Sequence, residues 1–551
     1  MKSLPIPFLC CLLASLSTFA QSIVINEIMY HPAPTMPEDT SQEWIELFNR
    51  STNVVNLKDW RIDAGVTYQF PVGTLIQPGD YLVVAASVTN FHAHYPGVTS
   101  VVGDWVGQLS NSGELIRLRD ADGETIDQVA YADSGDWGVR QRVPDPVAGL
   151  PGWEWVALAD GAGRSMELVN AALPNSSGQN WAPSSAAGGT PGAANSVQQS
   201  NIAPMIVETT HFPAVPKSGQ TVTVSARLVD EGSNVLASVY FRNATASSPP
   251  AFSSVPMFDD GAHNDGYAHD GVYAAILPAQ TNGSVVEFYV QASDGANSRT
   301  WPAPAVDGQL VQTANALYQV DDEQYTGNQQ ILRLVLTGAE RQTLLTINPN
   351  SDAAMNATLV ITDDRGSEIH YLCAVRLRGA GTRSRPTKNY RVNLPGDRPW
   401  NGRTSINLNS QYTHSQVVGS VVAQKSGLPG ANAVYVQMRL NGVNLARSGV
   451  PTGADGSGWG NYALLEPINN EWAGEHFPND PNGNVYRASS GSHQADLNYQ
   501  GTDPAAYLAR GYSKTSNGSE NDWSDLINLT DVMNNTPDAT YRDVISNRLN
   551  V

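Results

Sequence analysis

The sequence predicts a mainly β protein assembled from β-sandwich domains, and three observations lead there. The chain has 551 residues, enough for roughly three domains. Charged residues make up 15% while Gly and Pro number 48 and 34, which suits strands joined by turns better than Ala/Glu/Lys/Leu-rich helix bundles. Apolar residues recur at alternate positions in short runs bounded by Gly, Pro, Asn and Asp. The 41% hydrophobic content excludes a wholly disordered chain, and a formal charge of −20 argues against a nucleic-acid partner.

Residues 1–20 read as a secretory signal. Lys2 supplies the positive end, Leu4 to Leu16 the apolar stretch, and Thr18-Phe19-Ala20 a small-residue cleavage site before Gln21. The apolar run is too short for an anchor and is broken by Pro5 and Pro7; no later run approaches a membrane span. The expectation is export, to the outside or the cell surface, with no transmembrane segment after cleavage. Cys10 and Cys11 fall within the signal, so Cys373 alone remains and no internal disulfide can form. In its apolar run Cys373 reads as a buried small hydrophobe.

Strands open the first domain. Ile23 to Ile28 reads as a strand, Glu43 to Asn49 alternates acid and apolar, and Pro78-Gly79-Asp80 turns into Tyr81 to Ala85. Leu115 to Leu118 reaches the turn Asp120 to Gly123 and then Ile126 to Tyr131. Glu27, Glu43 and Glu46 could be read as catalytic carboxylates, but acids on outward strand positions are expected simply to be solvated. Ile25-Asn26-Glu27-Ile28, Glu43 to Asn49, Leu57 to Trp60, Ile76 to Asp80 and Leu109 to Glu114 follow the order seen in lamin-tail domains. Gly163 to Leu168, Asn180-Trp181 and Gly189-Thr190-Pro191-Gly192 resemble that family's bacterial ending. The resemblance covers about 23–197 and implies an Ig-like accessory or adhesive module.

After an Ala/Gly/Ser/Pro-rich linker, the region 198–310 alternates again at Thr221 to Ala226 and Val285 to Ala292, and resembles Ig-like or fibronectin-like spacers. Its loop from Asp259 to Tyr273 has three Asp-Gly steps. Asp259, Asp260, Asn264, Asp265 and Asp270 could supply hard oxygen ligands to Ca2+, although the spacing is not that of an EF-hand. A run of Asp-Gly turns between strands accounts for the same residues.

The third region, 315–551, contains a local inversion of charge. Residues 376–403 hold Arg376, Arg378, Arg383, Arg385, Lys388, Arg391, Arg398 and Arg403 against one acid, Asp397. In an anionic chain such a cluster points to an anion site, and guanidinium suits phosphate. Val375 to Arg378 reads as a strand broken by Gly379-Ala380-Gly381, and Lys388 to Leu394 as another, with Lys388 on the face of Tyr390, Val392 and Leu394. That lysine lines a cleft or snorkels from a strand end.

Val375 to Thr382, Lys388 to Val392, Ile406 to Ser410, Gly442 and Tyr462 to Glu466 resemble, in order, the CotH-type spore-coat kinases, with Asn461 where Gly is usual. The resemblance implies an α+β kinase-like domain in which Lys388 and the arginines hold nucleotide phosphates and Glu466 positions Lys388. ATP and Mg2+ would be the cofactors of a working kinase. The family's catalytic and metal-binding acids lie past the matched segments, and the sequence stops at Arg548 to Val551 before them. The expectation is therefore a secreted modular surface protein with an incomplete kinase-like domain. Two alternatives stand beside it: a Ser/Thr kinase complete in a longer form, and an adhesive protein whose partner is a protein, a cell surface or an acidic glycan.

Overall fold

The computed structural model describes residues 22–33, 38–146, 149–305, 314–324, 327–379, 381–385, 387–445, 461–489, 495–518 and 521–546. The expected signal at 1–20, Ala380 and residues 547–551 lie outside them.

Ile23–Met29 becomes a central strand of the first unit. It pairs antiparallel with Trp44–Asn49 on one side and Met166–Leu168 on the other, in a six-stranded sheet that Tyr81–Ala85, Val101–Gly103 and Trp181–Pro183 complete. Thr125–Ala132, Gly113–Arg119, Arg61–Ala64 and Tyr68–Gln69 form a second sheet. Ile25, Ile45, Leu47, Ile116, Leu118 and Val129 share one core, so the unit is the expected sandwich. Asp127 ties the layers, accepting from the Ile25 N–H at 2.6 Å and from Asn175 at 2.7 Å.

The expectation of solvated acids is corrected here. Glu27, Glu43 and Glu46 are 0%, 1% and 0% exposed. Segment 189–197 crosses the outer face of the sheet as a strap. Glu27 accepts from the Thr190 N–H, Glu46 from the Gly192 N–H, and Glu167 from the Val197 N–H. Glu43 accepts from the Leu109 N–H at 2.9 Å. Gly189 sits at φ +70° where a Cβ would overlap Glu27 Oε1 and Ser165 Oγ, so the strap can seat only with glycine there.

The second unit is also a sandwich. Met205–Phe212, Val222–Val229 and Val272–Leu277 form one sheet. Ser253–Met257, Leu236–Asn243, Val285–Ser293 and Ser298–Trp301 form the other, and Ala316–Gln319 pairs with Val285–Ser293. The sheet thus takes a strand from beyond the expected boundary at 310.

The third unit is a β-barrel. Its eight strands run Ile331–Val335, Met355–Asp363, Gly366–Leu377, Tyr390–Asn393, Ser405–Asn409, Tyr462–Leu465, Ala433–Leu440 and Val443–Asn444. Ile331–Val335 also pairs in parallel with Ala433–Leu440, which closes the ring. Leu334, Leu359, Val375, Val392, Leu408 and Met438 fill it, and Cys373 is buried with its thiol pushed up to about 12 by that burial. Helices Ser524–Asn535 and Asp538–Ser546 end the described chain, and none among the described residues is long and apolar enough to cross a membrane.

A hairpin of the first unit, Val139–Pro144 with Pro151–Val156, locks the units together. The Trp153 N–H donates to the Ala354 carbonyl at 2.8 Å, and the Trp153 indole N–H to Glu340 at 2.6 Å. Arg140 reaches the Leu372 carbonyl at 2.7 Å.

Candidate anion site

The strand register decides where the arginines go. Val375 pairs with Val392 and Leu377 with Tyr390, and all four are buried. The intervening pair, Arg376 with Arg391, therefore shares the opposite face of the sheet, and Arg378 follows two residues after Arg376.

On that face the positive charges outnumber their acidic partners. Arg376 bonds Asp352 at 2.7 Å, and Arg383 bonds the same carboxylate. Arg378 donates to the Asn409 amide oxygen, and Arg391 to Asn393 at 2.8 Å and Ser405 at 3.0 Å. Arg378 and Arg391 thus hold neutral acceptors. Burial depresses Arg378 to about 10, helped by repulsion from Arg391, Arg376, Arg487 and Arg383. Burial also lowers Arg391, with Arg376 pushing the same way. A face where several guanidiniums destabilise one another is relieved by an incoming anion.

Other expected members lie elsewhere. Lys388 precedes the strand Tyr390–Asn393, and its ammonium donates to the Arg383 carbonyl at 2.8 Å. Glu466 bonds Arg403 at 3.0 Å, His476 at 3.1 Å and the Asn432 N–H at 2.9 Å. Among the described contacts Glu466 and Lys388 do not meet; Arg403 occupies the carboxylate. Glu466 lines a separate cavity of about 260 Å³ with Trp400, Arg403 and Asn432. Arg385 is exposed. Arg398 bonds Asp136 of the first unit at 3.0 Å and acts as an inter-unit clamp. Arg487, on Tyr486–Ala488, joins the cluster from far along the sequence, and no local signal marks it.

The turn before this strand is tight. Gly379 has φ +103° and faces Thr382, while Asn389 donates to Thr382 Oγ1 at 3.1 Å and accepts from the Ser410 N–H at 2.8 Å.

In the second unit the Asp-Gly loop is bonded largely to itself. Asp265 accepts from the N–H groups of Asp260 at 2.6 Å, Gly261 at 2.8 Å and His263 at 3.2 Å. Asp259 accepts from the Asp270 and Gly271 N–H groups, Asp270 from Tyr267 and Val272, and Asn264 donates to Thr223. Among the described residues no group of three or more His, Cys, Asp or Glu is arranged to hold a metal ion.

Comparison with known families matches this order of folds. Residues 17–133 match the lamin tail domain, 216–297 the second Ig-like domain of conditioned medium factor, and 375–551 the CotH kinase protein family. The chain joins a lamin tail domain, an Ig-like domain and a CotH region, in that order. No curated protein matches it. Two solved structures from Listeria monocytogenes are similar over part of their length. One is an uncharacterized protein in complex with glucose, magnesium and calcium, at 11% identity, TM-score 0.15, covering 37% of this chain and 15% of that one. The other is a cycloalternan-forming enzyme with a pentasaccharide, at 10% identity, TM-score 0.15, covering 38% and 19%. The chain spans less than a fifth of either. The CotH match begins at Val375, at the arginine-bearing strand itself.

Proposed function

We propose that this is an exported, modular surface protein whose CotH region binds a phosphate-bearing anion on the face of Arg376, Arg378 and Arg391. The observation that carries the reading is Arg378: four other arginines repel it and its bonded partner is an amide. A triphosphate supplies the missing negative charge in the geometry guanidinium prefers. The apolar leader at 1–20 and the accessory lamin tail and Ig-like modules support a role outside the cell.

Phosphoryl transfer from ATP is the second reading, favoured by the match to a kinase family. It needs an Asp to orient the hydroxyl and acids for Mg2+. Among the described residues the acids by this face are engaged: Asp352 with Arg376 and Arg383, and Glu471 with the Thr404 N–H at 2.9 Å. Binding is therefore the better-supported function.

Calorimetry on the full chain with ATP, with tripolyphosphate, and with a sulfated glycan tests it. Saturable binding of both phosphates, with or without Mg2+, supports the proposal. Binding of the sulfated glycan alone would overturn it in favour of an adhesive role. ATP consumption dependent on Mg2+ would establish the second reading.

A further inference from the structure

A cavity of about 600 Å³ opens where the three units meet, and it is distinct from the arginine face. Its volume is within the roughly 300–1,000 Å³ range of small-molecule sites, which favour domain junctions. The first unit contributes Trp137, Trp155 and Trp181, the second contributes Trp301, and the third contributes Leu372. The rings of Trp137 and Trp181 lie 5.6 Å apart, tilted 34°. Trp155 is half-buried, and the Arg140 guanidinium lies 4.5 Å over its ring.

The polar part of the wall is cationic and donor-rich. Arg140 is buried and pulled down to about 10 by that burial. Its Nη2 is engaged by Asn356 and by the Leu372 and Cys373 carbonyls, while Nε and Nη1 have no acceptor among the described residues. The indole N–H of Trp301 has none either. Arg299, also on the wall, donates to Gln179. The wall's carboxylate, Asp136, already accepts from Arg398 at 3.0 Å and Gln179 at 3.1 Å. Trp137 and Trp181 are 6% exposed and Trp301 1%, so half-buried Trp155 offers the ring for the flat C–H side of a pyranose, and the arginines of the wall offer donors to its oxygens. The sign of the charge selects an acidic ring.

We propose that this three-unit cavity is a binding site for an acidic saccharide, a sugar carrying a carboxylate, held against Trp155 and the arginines of the wall. The probe is a trimer of galacturonic acid, titrated into the full chain while tryptophan fluorescence and heat are read. Its methyl ester is the control, with the same rings and no charge. The acid is expected to quench saturably, and the ester to bind at least about tenfold more weakly. Trp155→Ala is expected to weaken the acid by about tenfold or more. Should that variant lose its fold, Leu158→Asp serves instead: Leu158 lines the cavity and is 54% exposed, so the substitution places a repelling charge at the mouth without touching the core. Absence of saturable quenching overturns the site. Equal binding of the ester overturns the acidic class, and folded variants that keep full affinity overturn the location.

Discussion

Glu27 and Glu46 are direct partners across adjacent strands, and neither touches solvent. Glu167 stands opposite Glu27 on its other side, so three carboxylates sit in a row beneath one strap. Burial raises Glu27 to about 7, opposed by its bonds to Ser165 and Thr190 and reinforced by Glu167. Burial, with Glu27 beside it, raises Glu46 well above its ordinary value.

The pH dependence follows from the sign. A carboxyl whose folded pKa is raised stabilises the fold fully below its ordinary value near 4.5 and loses that contribution as pH rises through about 7. The melting temperature should fall between pH 5 and pH 8, and Glu27→Gln should flatten that slope. Glu27 alone accounts for about 3 kcal/mol at the top of the range, by the conversion of roughly 1.4 kcal/mol per pK unit. A melting curve of the variant parallel to the parent's across this range would sink the assignment.

Arg378→Gln should weaken ATP and tripolyphosphate by about tenfold, because it removes the charge at the centre of the cluster. Arg365→Gln should leave both unchanged: Arg365 is 85% exposed and paired with Asp363 on a distant turn. Rising salt should weaken the parent more than the Arg378 variant. Calorimetry at two ionic strengths reads all three effects.

The Asp-Gly loop should melt at lower temperature in Asp265→Ala, which strips the acceptor of three backbone N–H groups. Ca2+ at this loop is a separate proposal, since lone pairs of Asp259, Asp260 and Asp270 could still coordinate. On that proposal excess chelator lowers the melting temperature of the parent. An unchanged melting curve in excess EDTA would retire the ion.

Trp153→Phe should cost about 1–3 kcal/mol, because it leaves buried Glu340 without the indole donor at 2.6 Å. Burial raises Glu340 to about 7 even with that bond in place, so the loss should be larger at pH 8 than at pH 6. Denaturant melts at the two pH values check both the size and its direction.

The sequence by itself determined the local order. Short apolar runs at Ile23 to Ile28 and Tyr81 to Ala85, and alternation at Val285 to Ala292, wrote the strands. It also read Arg376 and Arg391 on successive strands, which the register then sets side by side. Only the tertiary structure decided what each polar residue meets. The strap at 189–197 turned Glu27 and Glu46 from outward acids into buried ones, Arg403 rather than Lys388 claimed Glu466, and Arg487 entered the cluster. The four-tryptophan cavity exists only because three units dock. Burial and charge pairing depend on contacts between residues far apart in the chain, and alternation along one strand contains no record of what will cover its outer face.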